Sequence, residues 1–325
     1  MEDSPSPGGS GDGSVLGYLA FWPTAWLGLV SLAAVDAGDA PAGQENVRYA
    51  LVVYGAWWAG AAWAFATLLV VLGRLISRPR PGRRTVGGRF ARPVAVVVAG
   101  MGVAMAALVG GVVVEKLVPG RAIPVRLAAP VVMFCFTTTG CALLAAAGAD
   151  AVLLHELLLV TGWPPAENAA ALFYPVGPPA LTATALQFLG NAVVGSVQEL
   201  GGDHLGELPT AVIADALNVV CVLLALLLTG MAAAWLLLAL VGLVYRVSHG
   251  EAEWSPSWNG AVFPLAALAL CTSQLASGFS SRFFGILICI LLIFSVLGFL
   301  INVGFALRQA MKRARSPKQV VTKIK

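Results

Sequence analysis

Charge is scarce in this chain. Asp, Glu, Lys and Arg together make up 11% of its 325 residues, about half the share of a soluble globular domain. That shortage excludes a disordered protein, a nucleic-acid binder built on a basic surface and an ordinary soluble enzyme. Histidine is scarcer still: His155, His204 and His249 are the full set. No H-E-x-x-H, G-x-S-x-G or P-loop pattern is present, so no familiar catalytic framework is in place. The five cysteines, Cys135, Cys141, Cys221, Cys271 and Cys289, sit inside apolar runs without a C-x-x-C pair. They read as small hydrophobes rather than as a disulfide or metal framework. No N-x-[ST] acceptor occurs.

What fills the chain instead is hydrophobic residue, 58% of the total. Eight apolar segments follow one another at about 17–35, 49–77, 93–114, 124–155, 170–195, 208–247, 258–277 and 283–310. A bilayer-spanning helix needs roughly 20 such residues, so the pattern predicts an all-α, polytopic transmembrane bundle of about eight spans. Segment 208–247 is the longest. Two spans without a loop would not fit in it, so one long helix is expected, with Thr229-Gly230 the alternative place for a break. Residues 1–15 read as a disordered tail, 16–312 as the membrane domain and 313–325 as a basic tail. The N-terminus lacks a positive leader region, so the first apolar segment reads as a retained helix.

The segments alternate in character. FWPTAWLGLVSLAA, PVAVVVAGMGVAMAALVGG, YPVGPPALTATALQFLG and FPLAALALCTSQLASG carry Pro, Gly, Thr, Ser and Gln. Their partners are Leu/Val/Ala-rich, as in LNVVCVLLALLLTGMAAAWLLLALVGL. Uniformly apolar helices suit lipid, whereas small residues, kinks and hydroxyls suit a helix packed inside a bundle. The expectation is therefore repeated hairpins, short helix inside and long helix outside. With eight spans, loop 74–92, the tail after 307 and Arg246 share one side, which holds 15 of the 20 Lys and Arg. The positive-inside rule then puts both termini in the cytosol. Trp57, Trp58, Trp163, Trp254 and Trp258 fall near segment ends and read as an interfacial belt.

Asp150 and Asp215 are the acids nearest the membrane interior. Such a carboxylate can mark a proton or substrate site, but each also lies within a turn or two of a segment end, where a boundary role suffices. The sharpest local signal is Phe173-Tyr174-Pro175-Val176-Gly177-Pro178-Pro179-Ala180-Leu181-Thr182-Ala183-Thr184-Ala185-Leu186-Gln187. Its prolines and glycine distort a helix at its entry. Thr184, Gln187 and Asn191 then recur at i, i+3 and i+7 with Thr182 beside them. That stripe is either polar glue between helices or the lining of a path.

The run FYPVGPPALTATALQFLG resembles the seventh-helix motif of the tellurite-resistance/dicarboxylate transporter family, which includes malic-acid transporters, sulfite efflux pumps and slow anion channels. WSPSWNGAVFPLAALALCTSQLASGFSSRFFGILICILLIFSVLGFL is similar to the family's final helix pair. The likeness is clear over 155–312 and weak over 14–150. It implies inner short helices ringing a pore, with outer long helices around them. The family's ten helices form five hairpins, so this chain reads as lacking one, N-terminal, hairpin. The resemblance also implies a gate: Phe263 stands where channel members place a plugging phenylalanine, although Ala261 replaces a second aromatic two positions before it. The implied path is Gly177, Thr182, Thr184, Gln187, Asn191 and Phe263.

The G-P-P-x-L-T-x-x-A-L form is closer to the malate/C4-dicarboxylate branch. The implied protein is thus a small-anion transporter or channel of the plasma membrane, for malate-type dicarboxylates first, with sulfite or another inorganic anion as the alternative substrate. No cofactor, metal, catalytic residue or nucleic-acid partner is expected, and homo-oligomers are possible because some relatives are trimers. A reading from another class is an integral-membrane biosynthetic enzyme or a non-transporting relative. The enzyme would need Asp150, His155, Glu156 and Asp215 to converge.

Overall fold

The computed structural model describes residues 11–40, 43–77, 86–118, 123–160, 162–164, 166–200, 204–205, 208–251 and 258–315. Most of both expected tails, residues 78–85 of the arginine-rich loop and Trp254 lie outside the described residues. The described residues form eight α-helices: α1 (Gly11–Asp39), α2 (Gln44–Ser77), α3 (Val86–Leu117), α4 (Ala128–His155), α5 (Gly177–Leu200), α6 (Thr210–Ser248), α7 (Trp258–Phe279) and α8 (Arg282–Arg315). A two-residue antiparallel ladder, β1 (His204–Leu205) with β2 (Leu208–Pro209), closes the turn between α5 and α6. Among the described residues, six of the helices are long and apolar enough to cross a membrane, and α5 is not one of them. For α5 the reason is its composition. It carries Thr, Gln, Asn and Pro, which a helix surrounded by protein can accommodate.

Consecutive helices pack as four hairpins, and α3 and α5 form the centre. Helix α3 touches α1, α2, α4 and α5, and α5 touches α3, α4, α6 and α7. In their most apolar stretches, 89% of α3's residues are buried, against 39% in α7 and 11% in α8. The inner helices owe their close approach to small side chains. A Cβ at Gly111 of α3 would press on Phe188 of α5, and one at Gly190 of α5 would strike Asn218 of α6. Length separates inner from outer less cleanly than the sequence pattern implies, because α3 begins at Val86 and runs for 32 residues, four more than α4.

Proline also marks the inner helices. Pro23, Pro93 and Pro264 lie inside α1, α3 and α7, where each removes one backbone donor. Before α5 the chain runs as a 3-10 segment, Ala166–Val176, and turns into an α-helix at Gly177. Pro178 and Pro179 then occupy the first turn of α5, where their missing N–H groups have no helical partner to lose. Helix α6 is one unbroken helix of 39 residues, about 58 Å long. It ends in a left-handed Gly250, with Glu251 N–H donating to Arg246 O at 3.0 Å and Gly250 N–H to Val247 O at 3.1 Å, a Schellman cap. Arg246 itself holds the Pro164 carbonyl and Glu251.

Candidate functional site

The polar stripe of α5 is buried between helices. Gly177, Thr182, Thr184 and Gln187 are all closed off, while Asn191 is exposed. Thr182 donates to Pro178 O at 2.7 Å and Thr184 to Ala180 O at 2.8 Å. These are bonds within the helix, one turn back, of the kind by which threonine satisfies its hydroxyl in an apolar setting. Gln187 Nε2 donates to Ala183 O at 3.2 Å and reaches Cys271 Sγ of α7 at 3.7 Å. Thr229 Oγ1 of α6 lies 3.1 Å from the same sulfur, and Thr184 also contacts it. Cys271 thus sits among three polar side chains from α5 and α6. Its sequence context, an apolar run, gave no sign of that role.

Beyond this cluster, toward the C-terminal end of α5, a cleft of about 210 Å³ opens between α5, α6 and α7. Gln187, Asn191, Asn218 and Gln274 bring four carboxamides to it. Carboxamides offer both donors and acceptors without net charge. Gly177 lies 14 residues before Asn191, about 21 Å away along the axis. The six path residues therefore spread along the axis: Gln187 and Asn191 at the cleft, Thr182 and Thr184 between, Gly177 and Phe263 near the opposite end.

At that opposite end, a Cβ on Gly177 would run into Met101 Sδ of α3 and lie 3.6 Å from Pro264 Cγ of α7. Phe263, next to Pro264, is half-buried and packs on the main core. Tyr174, in the 3-10 segment, sits 6.3 Å from Phe21 of α1 between ring centroids, and its hydroxyl abuts Gly260 of α7. It bridges α1 and α7, which do not pack along each other.

Two sequence expectations change. Asp150 is not a boundary residue: it is 4% exposed, and its Oδ2 accepts from Trp235 Nε1 of α6 at 3.1 Å. Asp215 is exposed and stands 20 residues before Trp235 on α6, about 30 Å away. His155 is exposed as well. The acids and histidine required by the enzyme reading do not converge. Trp57 is a core residue rather than part of an interfacial belt. It is fully buried and donates to Ala106 O of α3 at 2.9 Å, because Gly110 one turn on leaves room for its ring.

Helical hairpins with polar, proline-bearing helices at the centre and long apolar helices outside define a polytopic membrane protein. The family model of the voltage-dependent anion channels matches residues 16–307. The chain belongs to that family, one of anion channels and transporters. No curated protein and no solved structure matches it. The match includes the N-terminal half, where the resemblance in the sequence is weakest.

Proposed function

We propose that the chain carries small anions, malate-type C4-dicarboxylates first, along a path between α1, α3, α5 and α7. The family match across 16–307 carries this reading. The arrangement of α5 supports it, since hydroxyls and amides are concentrated on a helix with a single exposed residue among those described, Asn191. The hydroxyl protons of Thr182 and Thr184 are held by their own helix. An anion passing them would compete for these donors and bind weakly, as conduction requires. The C4-dicarboxylate choice rests on the G-P-P-x-L-T-x-x-A-L stretch; sulfite or another inorganic anion is the second reading. In this proposal Phe263 constricts the path, both termini face the cytosol and the protein resides in the plasma membrane, where copies associate.

Relative to the ten-helix arrangement, the chain is proposed to lack one hairpin, which would stand between α1 and α7. Those helices are joined at the level of Tyr174 rather than along their lengths. Flux of malate, sulfite and nitrate into proteoliposomes tests the reading, and no flux of any of the three sinks it. Phe263→Ala should raise flux while the protein stays folded. Loss of folded protein, at a cost of about 3–5 kcal/mol, would instead make Phe263 a packing residue.

A further inference from the structure

Gly177 is where three of the four inner helices meet. Its missing side chain points at Met101 of α3 and at Pro264 of α7 together. Helices α3 and α7 both flank α5 and do not pack along each other. A direction from α5 that reaches both must lead either to the middle of the ring or to its outer face. The outer face of α5 is covered by α4 and α6, and Met101 is fully buried. The direction is therefore inward, and Met101 lies across the middle of the ring.

We propose that Met101 is the closing element of the path at the level of Gly177, with its thioether in the space that glycine leaves open. This rests on the reading of a central anion path, and it adds a residue that no local pattern singles out. Methionine suits the task. It is unbranched and apolar, and it can swing away by rotating three bonds without breaking a hydrogen bond. An apolar side chain in a narrow passage excludes water and, with it, a hydrated anion. Gly177 supplies the seat: a Cβ there would displace the sulfur. Phe263, one residue before Pro264, then narrows the same path beside Met101, which completes the closure.

The test is anion flux in proteoliposomes for the full chain and for Met101→Ala, Met101→Leu and Phe263→Ala, with folding followed by gel filtration. Met101→Ala should raise flux on the order of tenfold, as removal of an apolar constriction does. Met101→Leu, of similar volume, should stay near the parent. Because the alanine variant could fail to fold, Met101→Cys is treated with an anionic methanethiosulfonate. Block beyond that seen in the treated parent, whose own exposed cysteines are Cys141 and Cys289, supports the assignment. Parent flux with an unchanged Met101→Ala, or with a Met101→Cys insensitive to reagent, overturns Met101 and leaves the anion path standing. No flux in any protein, Met101→Ala included, overturns both.

Discussion

Helices α3 and α5 differ from α1 and α7 in one respect that organises the molecule: the first pair has an inner neighbour on each side, the second pair on one side only. Helix α3 is accordingly buried nearly all round, with Val97, Met101, Ala104, Val109 and Val113 closed from every direction. Among its described side chains, helix α1 buries a stripe, Pro23, Thr24, Leu27, Val30, Ala34 and Ala37, and exposes Trp22, Leu29 and Leu32. The spacing of that stripe is the one-sided pattern of a helix at the edge of a bundle. Helix α7 is similar, with Ala267, Leu268 and Cys271 inside and Leu270 outside. A helix in the middle must be small on several faces, whereas a helix at the edge must be small on one.

The largest expected effect strikes the centre. Trp57 of α2 covers α3, with its indole N–H on Ala106 O and its ring edge-on to Phe134 of α4, centroids 5.8 Å apart. Trp57→Ala should destabilise the protein by about 3–5 kcal/mol, the range for removing a large buried aromatic. Thermal unfolding in detergent is the measurement. A change under about 1 kcal/mol would mean that the centre is no better packed than the edge.

Next comes a glycine of the central helix. A Cβ on Gly110 would collide with Cys135 Sγ and fall 2.7 Å from a carbon of the Trp57 ring. Neither neighbour has free room, because both are fully buried. Gly110→Ala should therefore cost about 1–3 kcal/mol through overpacking, even though alanine is the better helix former. An unfolding temperature at or above that of the parent would show that α2 and α4 can draw back from α3, and would remove the contrast.

Sequence pattern gave the number of helices, their pairing into hairpins and the inner position of the helices that carry proline and small residues, since each depends on local composition. The single long α6 was legible too, because it holds no proline and only two glycines, Gly230 and Gly242. Contacts between distant segments were not legible. Asp150 and Trp235 are 85 residues apart, and Asp150 lies near a segment end only in sequence, because helix α4 is followed by a π-helical turn, Glu156–Val160. Trp57 shows the same limit: its distance from a segment end matched an interfacial belt, but its environment is set by a glycine on another helix. The candidate path shows it most plainly. Thr182, Thr184 and Gln187 were found by their periodicity, whereas Cys271 and Met101, which meet that same helix from α7 and α3, have nothing local to distinguish them.

The smallest effect is the control for the edge. Gly28 of α1 sits beside the buried Leu27, yet a Cβ there would meet nothing within 4 Å. Its backbone is ordinary helix without a positive φ, so alanine is free of strain. Gly28→Ala should leave the unfolding temperature unchanged or raise it, with a gain of up to about 1 kcal/mol from helix propensity and a less flexible unfolded chain. The comparison with Gly110→Ala uses the same chemical change at two places, so their difference reports surroundings alone. If Gly28→Ala costs as much as Gly110→Ala, then something packs against this face of α1 in the membrane. A second copy of the chain would do so, and cross-linking through Gly28→Cys would then capture a dimer. Equal tolerance at both sites would instead mean that α3 is not enclosed. A neutral Gly28→Ala beside a damaging Gly110→Ala is the pair of results that a ring with two closed and two open helices requires.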